Sequence, residues 1–182
     1  MRLRVPVNYV NPGGSGASGE FGIGDLSTRA IWRFLDTPRV SAFAGVGLSF
    51  PSASDPILGT EKYSVIPLAA LYVPITDKIS FIPIYQQLIS FAGKESRADI
   101  NIIRFRSILL AQWPRGWWTM LDPGFLWDLE DDLETKDTMT LGLEVGKVLT
   151  PRLAVTGKPS IQTYGTEDFA WAVQLSVTFS FD

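Results

Sequence analysis

Ten charged or amide side chains are spaced in a way that could do chemistry. Arg104 and Arg106, Asp122 and Asp128, Glu144, Lys158 and Gln162, Gln174, and, earlier in the chain, Arg29 and Arg33 each sit in a stretch where apolar residues alternate with small or polar ones. Residues two apart on a strand share a face, so each set projects to one side of a sheet, opposite the apolar side. The Arg104/Arg106 stretch is followed by stretches bearing carboxylates and then by one bearing Lys158, so charges of opposite sign come within reach across neighbouring strands. Away from water, charges persist only when paired and hydrogen-bonded. Two uses fit such a set: an ion-pair network that fills a narrow interior, or a polar lining that selects the ions or solutes passing along it.

Other chemistries lose their main residues. With no histidine the chain lacks the usual general base, the Ser-His-Asp arrangement and the commonest zinc and copper ligand; with no cysteine it lacks a disulfide framework, a thiolate metal site and a thiol nucleophile. Asp122 and Asp128 resemble a glycosidase pair only by type, because a strand inside a closed sheet offers a polymer no cleft. The acidic run WDLEDDLETKD (127–137) has oxygen ligands suited to Ca²⁺ but neither the glycine nor the ordered spacing of an EF-hand, and reads as a solvated loop. PGGSGASGEFGIGD (12–25) has no Lys-Ser/Thr pair and no following helix, so it reads as a loop rather than a phosphate cradle. No catalytic residue, metal or cofactor is called for. A net charge of −3 with scattered Lys and Arg gives no field for nucleic acid.

The elements that position these side chains follow from period two. Candidate strands lie near 3–9, 25–35, 40–50, 63–73, 79–91, 99–111, 117–129, 138–149, 153–164 and 170–181, ten in all, while no long stretch keeps the helical spacing. No run reaches the roughly 20 apolar residues of a spanning helix. The connections fall into two alternating classes. Short turns stand at 35–39, 75–78, 113–116 and 149–152; longer polar loops stand at 11–24, 51–62, 92–97 and 130–137, with the shorter 165–168. Short turns at one end and long loops at the other mark an outer-membrane barrel.

Facing supports the same fold. Met139, Leu141, Leu143, Val145 and Leu149, with Lys147 near the short-turn end, oppose Thr138, Thr140, Gly142, Glu144, Gly146 and Val148; the last strand sets Trp171, Val173, Leu175, Val177, Phe179 and Phe181 against Ala172, Gln174, Ser176, Thr178 and Ser180. A soluble barrel would turn its apolar face inward; here the face rich in small and charged residues is the one that fits inside. Trp32, Phe34, Trp113, Trp117, Phe179 and Phe181 gather toward the short turns, and Phe50, Tyr63, Phe91, Trp127 and Trp171 toward the loops, as two interfacial girdles. The expectation is an all-β, up-and-down antiparallel transmembrane barrel of about ten strands, twelve if N-terminal strands are missing. Residues 1–182 would form one domain in the bacterial outer membrane, with both termini on the periplasmic side. The N-terminus lacks a signal peptide's apolar region and cleavage site, which for an exported chain implies a mature form or a fragment.

One region adds a resemblance. Gly22, Gly24 and Asp25; Gly45, Gly47, Phe50 and Pro51; Leu58, Gly59, Thr60, Lys62 and Tyr63; and Pro67 are similar to the motifs of an outer-membrane family described as transporters of the meta-cleavage pathway of phenol degradation. The pattern departs at Glu61, Tyr63 and Ile66, where glycine, tryptophan and glycine would be expected. The resemblance covers about the first 40% of the chain by motif and implies no catalytic residues. Its implied role is passage of small hydrophobic or aromatic molecules, and a non-conducting structural or surface-interaction barrel is the alternative. The C-terminal strand with Phe181 resembles the signal read by the outer-membrane assembly machinery, with Asp182 following the aromatic. The expected partners are then membrane lipid and lipopolysaccharide, a small-molecule solute and that machinery. A homo-oligomer is compatible with the sequence, though no patch demands one.

Overall fold

The computed structural model describes residues 2–11, 19–130, 137–165 and 171–180, with residues 2–4 described as backbone alone. Residue 1, the glycine-rich segment 12–18, residues 131–136 of the acidic run, residues 166–170 and the terminal Phe181 and Asp182 lie outside the described residues.

Alternation dictates strands, and strands are what form: β1 (Arg2–Asn11), β2 (Glu20–Ile23), β3 (Leu26–Asp36), β4 (Ser41–Phe50), β5 (Lys62–Pro74), β6 (Ile79–Gly93), β7 (Asn101–Trp113), β8 (Trp117–Asp128), β9 (Asp137–Thr150), β10 (Leu153–Tyr164) and β11 (Trp171–Ser180). β1 pairs antiparallel with both β2 and β3, each strand from β3 to β10 pairs antiparallel with the next, and β11 closes on β1 with Arg2 opposite Ser180 and Asn11 opposite Trp171. Closure leaves no free edge, which is the condition lipid imposes on a sheet.

The eleventh strand departs from the expected ten. Residues 20–23 were expected within the first long loop, yet they pair with β1 from Val10↔Glu20 to Val7↔Ile23, and β3 continues along the same partner from Arg4↔Ser27. The pairing shifts by one residue between the two segments, so β2 and β3 form one stave interrupted by a bulge at Gly24 and Asp25. The described residues therefore build a wall of ten staves.

Short connections lie at one end. Thr37 Oγ1 accepts the Val40 amide and donates to its carbonyl, Thr76 Oγ1 accepts from Lys78 and Ile79, and the 114–116 turn uses the left-handed region at Arg115 (φ 62°) and Gly116 (φ 76°). The outer surface is apolar, with Trp32, Phe34, Trp113, Trp117 and Phe179 exposed toward the short turns and Phe50, Tyr63, Phe91, Trp127 and Trp171 toward the loops. The loop-end girdle is continuous where rings meet: Phe50–Tyr63 at 6.4 Å, Tyr63–Phe91 at 6.2 Å and Tyr9–Trp171 at 5.1 Å.

Candidate functional site

The inner face carries the polar side chains. Register places Arg104 and Arg106 on β7 beside Leu126 and Gly124 of β8, and Asp122 of β8 opposite Gly142 of β9. On the far side of β9, Lys158 of β10 pairs in register with Gln174 of β11, and Gln174 with Asn8 of β1. Arg106 reaches Asp122 through Nε at 2.8 Å and through its terminal nitrogen, and Lys158 Nζ bonds the same carboxylate from the other side. The Asp122 side chain is 2% exposed, against 19% for Arg106 and 22% for Lys158, so the carboxylate is buried between two cations that still meet the lumen. Lys158 spans β9 to reach it because Gly142 stands between them: a Cβ there would lie 2.4 Å from Lys158 Cε. The same device serves at Gly146, where a Cβ would fall 2.1 Å from the Trp118 ring. Trp118 in turn donates its indole N–H to Glu144 at 3.3 Å.

Two chambers meet at Arg106. Toward the loops, a cavity of about 240 Å³ is lined by Arg104, Arg106, Asp122, Lys158, Gln174, Asn8, Thr140 and Ser160. Gln174 donates its amide to Asn8 Oδ1 at 2.9 Å, tying β11 to β1 across the closure. Toward the short turns, a cavity of about 750 Å³ is lined by Arg29, Arg106 and Glu144 together with Ile31, Ile82, Ile84, Ile108, Leu110, Met120 and Trp118. Arg106 lines both. Three cations against one carboxylate give the upper cavity a formal charge of +2.

The residues singled out by alternation divide into two groups. Arg104, Arg106, Asp122, Lys158 and Gln174 gather around the upper cavity, and Arg29 and Glu144 join Arg106 at the lower one. Arg33 stands at the short-turn rim, half exposed and paired with Asp36 at 3.0 Å. Asp128 ends β8 at the loop rim and accepts the Glu130 amide at 3.0 Å. Gln162 lies on the inner face of β10 opposite Thr140 and takes no part in either cavity lining. Alternation missed Asn8, whose partner is 166 residues away, and the aliphatic wall from Ile31 through Leu110, whose signal was present as isoleucines of inward parity. Among the described residues no group of three His, Cys, Asp or Glu could hold a metal ion.

Closed antiparallel pairing, an apolar exterior with two aromatic girdles and a polar interior together define an up-and-down β-barrel of the outer-membrane type. No family model matches the chain, and no curated protein matches it in sequence. Among solved structures it is similar to the COG4313 outer membrane channel from Pseudomonas putida F1, at 12% identity over 99% of this chain and 94% of that one, with a TM-score of 0.68. It is also similar to the NanC porin (11% identity, 99% of each chain, TM-score 0.65) and the KdgM porin (8% identity, 100% of each chain, TM-score 0.62). At these identities the likeness is one of fold.

Proposed function

We propose that the chain forms a single outer-membrane barrel that passes small organic solutes, favouring those with an apolar body and an acidic group. The observation that carries this reading is the two-sided lumen: an aliphatic wall of Ile31, Ile82, Ile84, Ile108 and Leu110 in the lower cavity leads to a waist where Arg104, Arg106 and Lys158 outnumber Asp122. An apolar wall rewards removal of hydrocarbon or ring surface from water, and fixed cations lower the cost of moving a carboxylate through a narrow polar passage. In this reading Arg29, Arg104, Arg106, Asp122, Glu144, Lys158 and Gln174 line the route, while Arg33, Asp128 and Gln162 belong to its ends and upper wall. The solved barrels lend support of the same kind, since one similar structure is a KdgM porin in complex with disordered oligogalacturonate, an acidic ligand. Lipid and lipopolysaccharide contact the outer wall, and the assembly machinery receives the C-terminal strand.

The test is permeation into liposomes carrying the refolded protein. Benzoate should enter faster than benzylamine or glucose, and equal rates for all three would count against the reading. A second reading, a barrel closed by its own ion pairs, is favoured by the burial of Asp122 between Arg106 and Lys158. Liposomes that stay impermeable to all three solutes while the barrel is inserted would favour it.

A further inference from the structure

Asp25 and Thr60, two of the motif residues that carry the family resemblance, lie 35 positions apart, yet they meet at one carboxylate. The bulge between β2 and β3 turns both Gly24 and Asp25 toward the interior, since Gly22 pairs with inward-facing Asn8 and Ser27 continues the inward row of β3. Asp25 Oδ1 accepts the amides of Ser52 and Ala53, each at 3.1 Å, and Oδ2 accepts the amide and hydroxyl of Thr60 at 2.8 and 2.9 Å. A single side chain thus ties together both ends of the segment 51–61. Ser54 adds a second fastening: its Oγ accepts the Ile23 amide at 3.0 Å and its own amide donates to the Ile23 carbonyl at 2.9 Å.

The segment lies against the inner face of the wall. A Cβ on Gly22 would stand 2.1 Å from Ser54 Oγ and 2.9 Å from Leu58 Cδ1, and one on Gly59 would stand 2.6 Å from Asp25 Oδ1. Leu58 is buried there. On the same side of the barrel, Lys62, Ser64, Ile66 and Leu68 of β5 face inward and are buried, so the lumen is filled against this wall toward the loop end. Two strands further round the wall, on β7, inward-facing Arg104 is exposed beside the upper cavity.

We propose that residues 51–61 are a constriction built into the loop-end mouth and fastened by Asp25, which closes the β3–β6 side and directs solutes along the wall that bears Arg104, Arg106 and Lys158. The proposal rests on the channel reading above. It makes Asp25 a positioning residue: it sets the width and charge of the route without lining the waist.

Asp25→Ala tests it, with circular dichroism and insertion into bilayers confirming that the barrel forms. Loss of charge-assisted hydrogen bonds should speed hydrogen exchange at the amides of Ser52, Ala53 and Thr60 by about tenfold or more. Single-channel conductance should rise and anion preference should fall. A lock then provides the rescue. The chain has no cysteine, and the Gly22 Cβ position lies 3.4 Å from Ser54 Cβ, just below the roughly 3.5–4.5 Å that disulfides span, so a shift of about a tenth of an ångström or more seats the bridge. Gly22→Cys with Ser54→Cys, oxidised on the Asp25→Ala background, should restore wild-type conductance, and a reductant should remove the rescue. Faster exchange with unchanged conductance, unchanged exchange, or an oxidised lock that leaves conductance raised would each overturn the proposal while leaving a conducting wild type as a channel. A silent wild type that conducts once Asp25 is replaced would overturn only the open-channel reading. Silence of both would overturn the two together.

Discussion

Replacing Asp122 by Asn removes the anion from between two cations and is the most informative change at the waist. Arg106 and Lys158 would remain beside one another, drawn there by register and by the space Gly142 leaves. Removing one partner of a buried ion pair costs about 3–5 kcal/mol. The repulsion newly exposed is of similar size: at a separation of about 5 Å and an effective dielectric near 20 it is about 3 kcal/mol. Because Arg106 and Lys158 keep 19% and 22% of their side-chain exposure, lumen water screens them, and a loss near the lower figure, about 3 kcal/mol, is expected. Urea unfolding in lipid vesicles, followed by tryptophan fluorescence, measures it. Adding Lys158→Met removes one of the two opposed charges and should recover most of the loss. An Asp122→Asn protein within about 0.5 kcal/mol of wild type would refute the reasoning, since that is the scatter of ordinary surface changes.

Gly142→Val should cost roughly 1–3 kcal/mol by overpacking and displace Lys158 from Asp122, because even a Cβ there lies 2.4 Å from Lys158 Cε; unfolding and an altered conductance step report it together. Leu175→Arg, on the outward face of β11 midway along the strand, should cost about 2–4 kcal/mol in vesicles, and a neutral result would contradict the facing of that strand. Glu61, in the left-handed region at φ 55°, is hydrogen-bonded by Lys94 and Arg97, and these cations, Lys94 first, hold its carboxyl below the ordinary 4.5. A carboxyl lowered on folding contributes stability above its unfolded value and loses it as pH falls through the lowered one. Hydrogen exchange at Lys94 and Arg97 should therefore gain an extra acceleration only below about pH 4.5, and Glu61→Gln should abolish that step.

Most of the barrel was legible because period two is a local property. Leu141, Leu143 and Val145 announce an outward face whatever their partners are, and alternation with Thr140, Gly142 and Glu144 leaves one inward assignment. What alternation lacks is depth and reach. Arg33 and Asp128 have inward parity but sit at strand ends, where they turn to Asp36 and the Glu130 amide instead of the waist. The triad depends on Lys158 crossing β9 over Gly142, which requires the register of three strands at once. β2 was hidden because its four residues follow a glycine-rich run whose composition signals a loop, and a bulge then shifts the parity of the stave by one. The Asp25 clamp was visible only as a motif, since its partners are mostly backbone amides that carry no residue signature.

The central claim is that solutes pass a waist dominated by Arg104, Arg106 and Lys158. Reversal potential of single channels in a planar bilayer under a potassium chloride gradient tests it most directly, with the Arg104→Gln/Arg106→Gln protein alongside. The account predicts anion preference in the wild type and its loss or inversion in the double variant. A cation-preferring wild type, or a double variant with the same reversal potential, would contradict it.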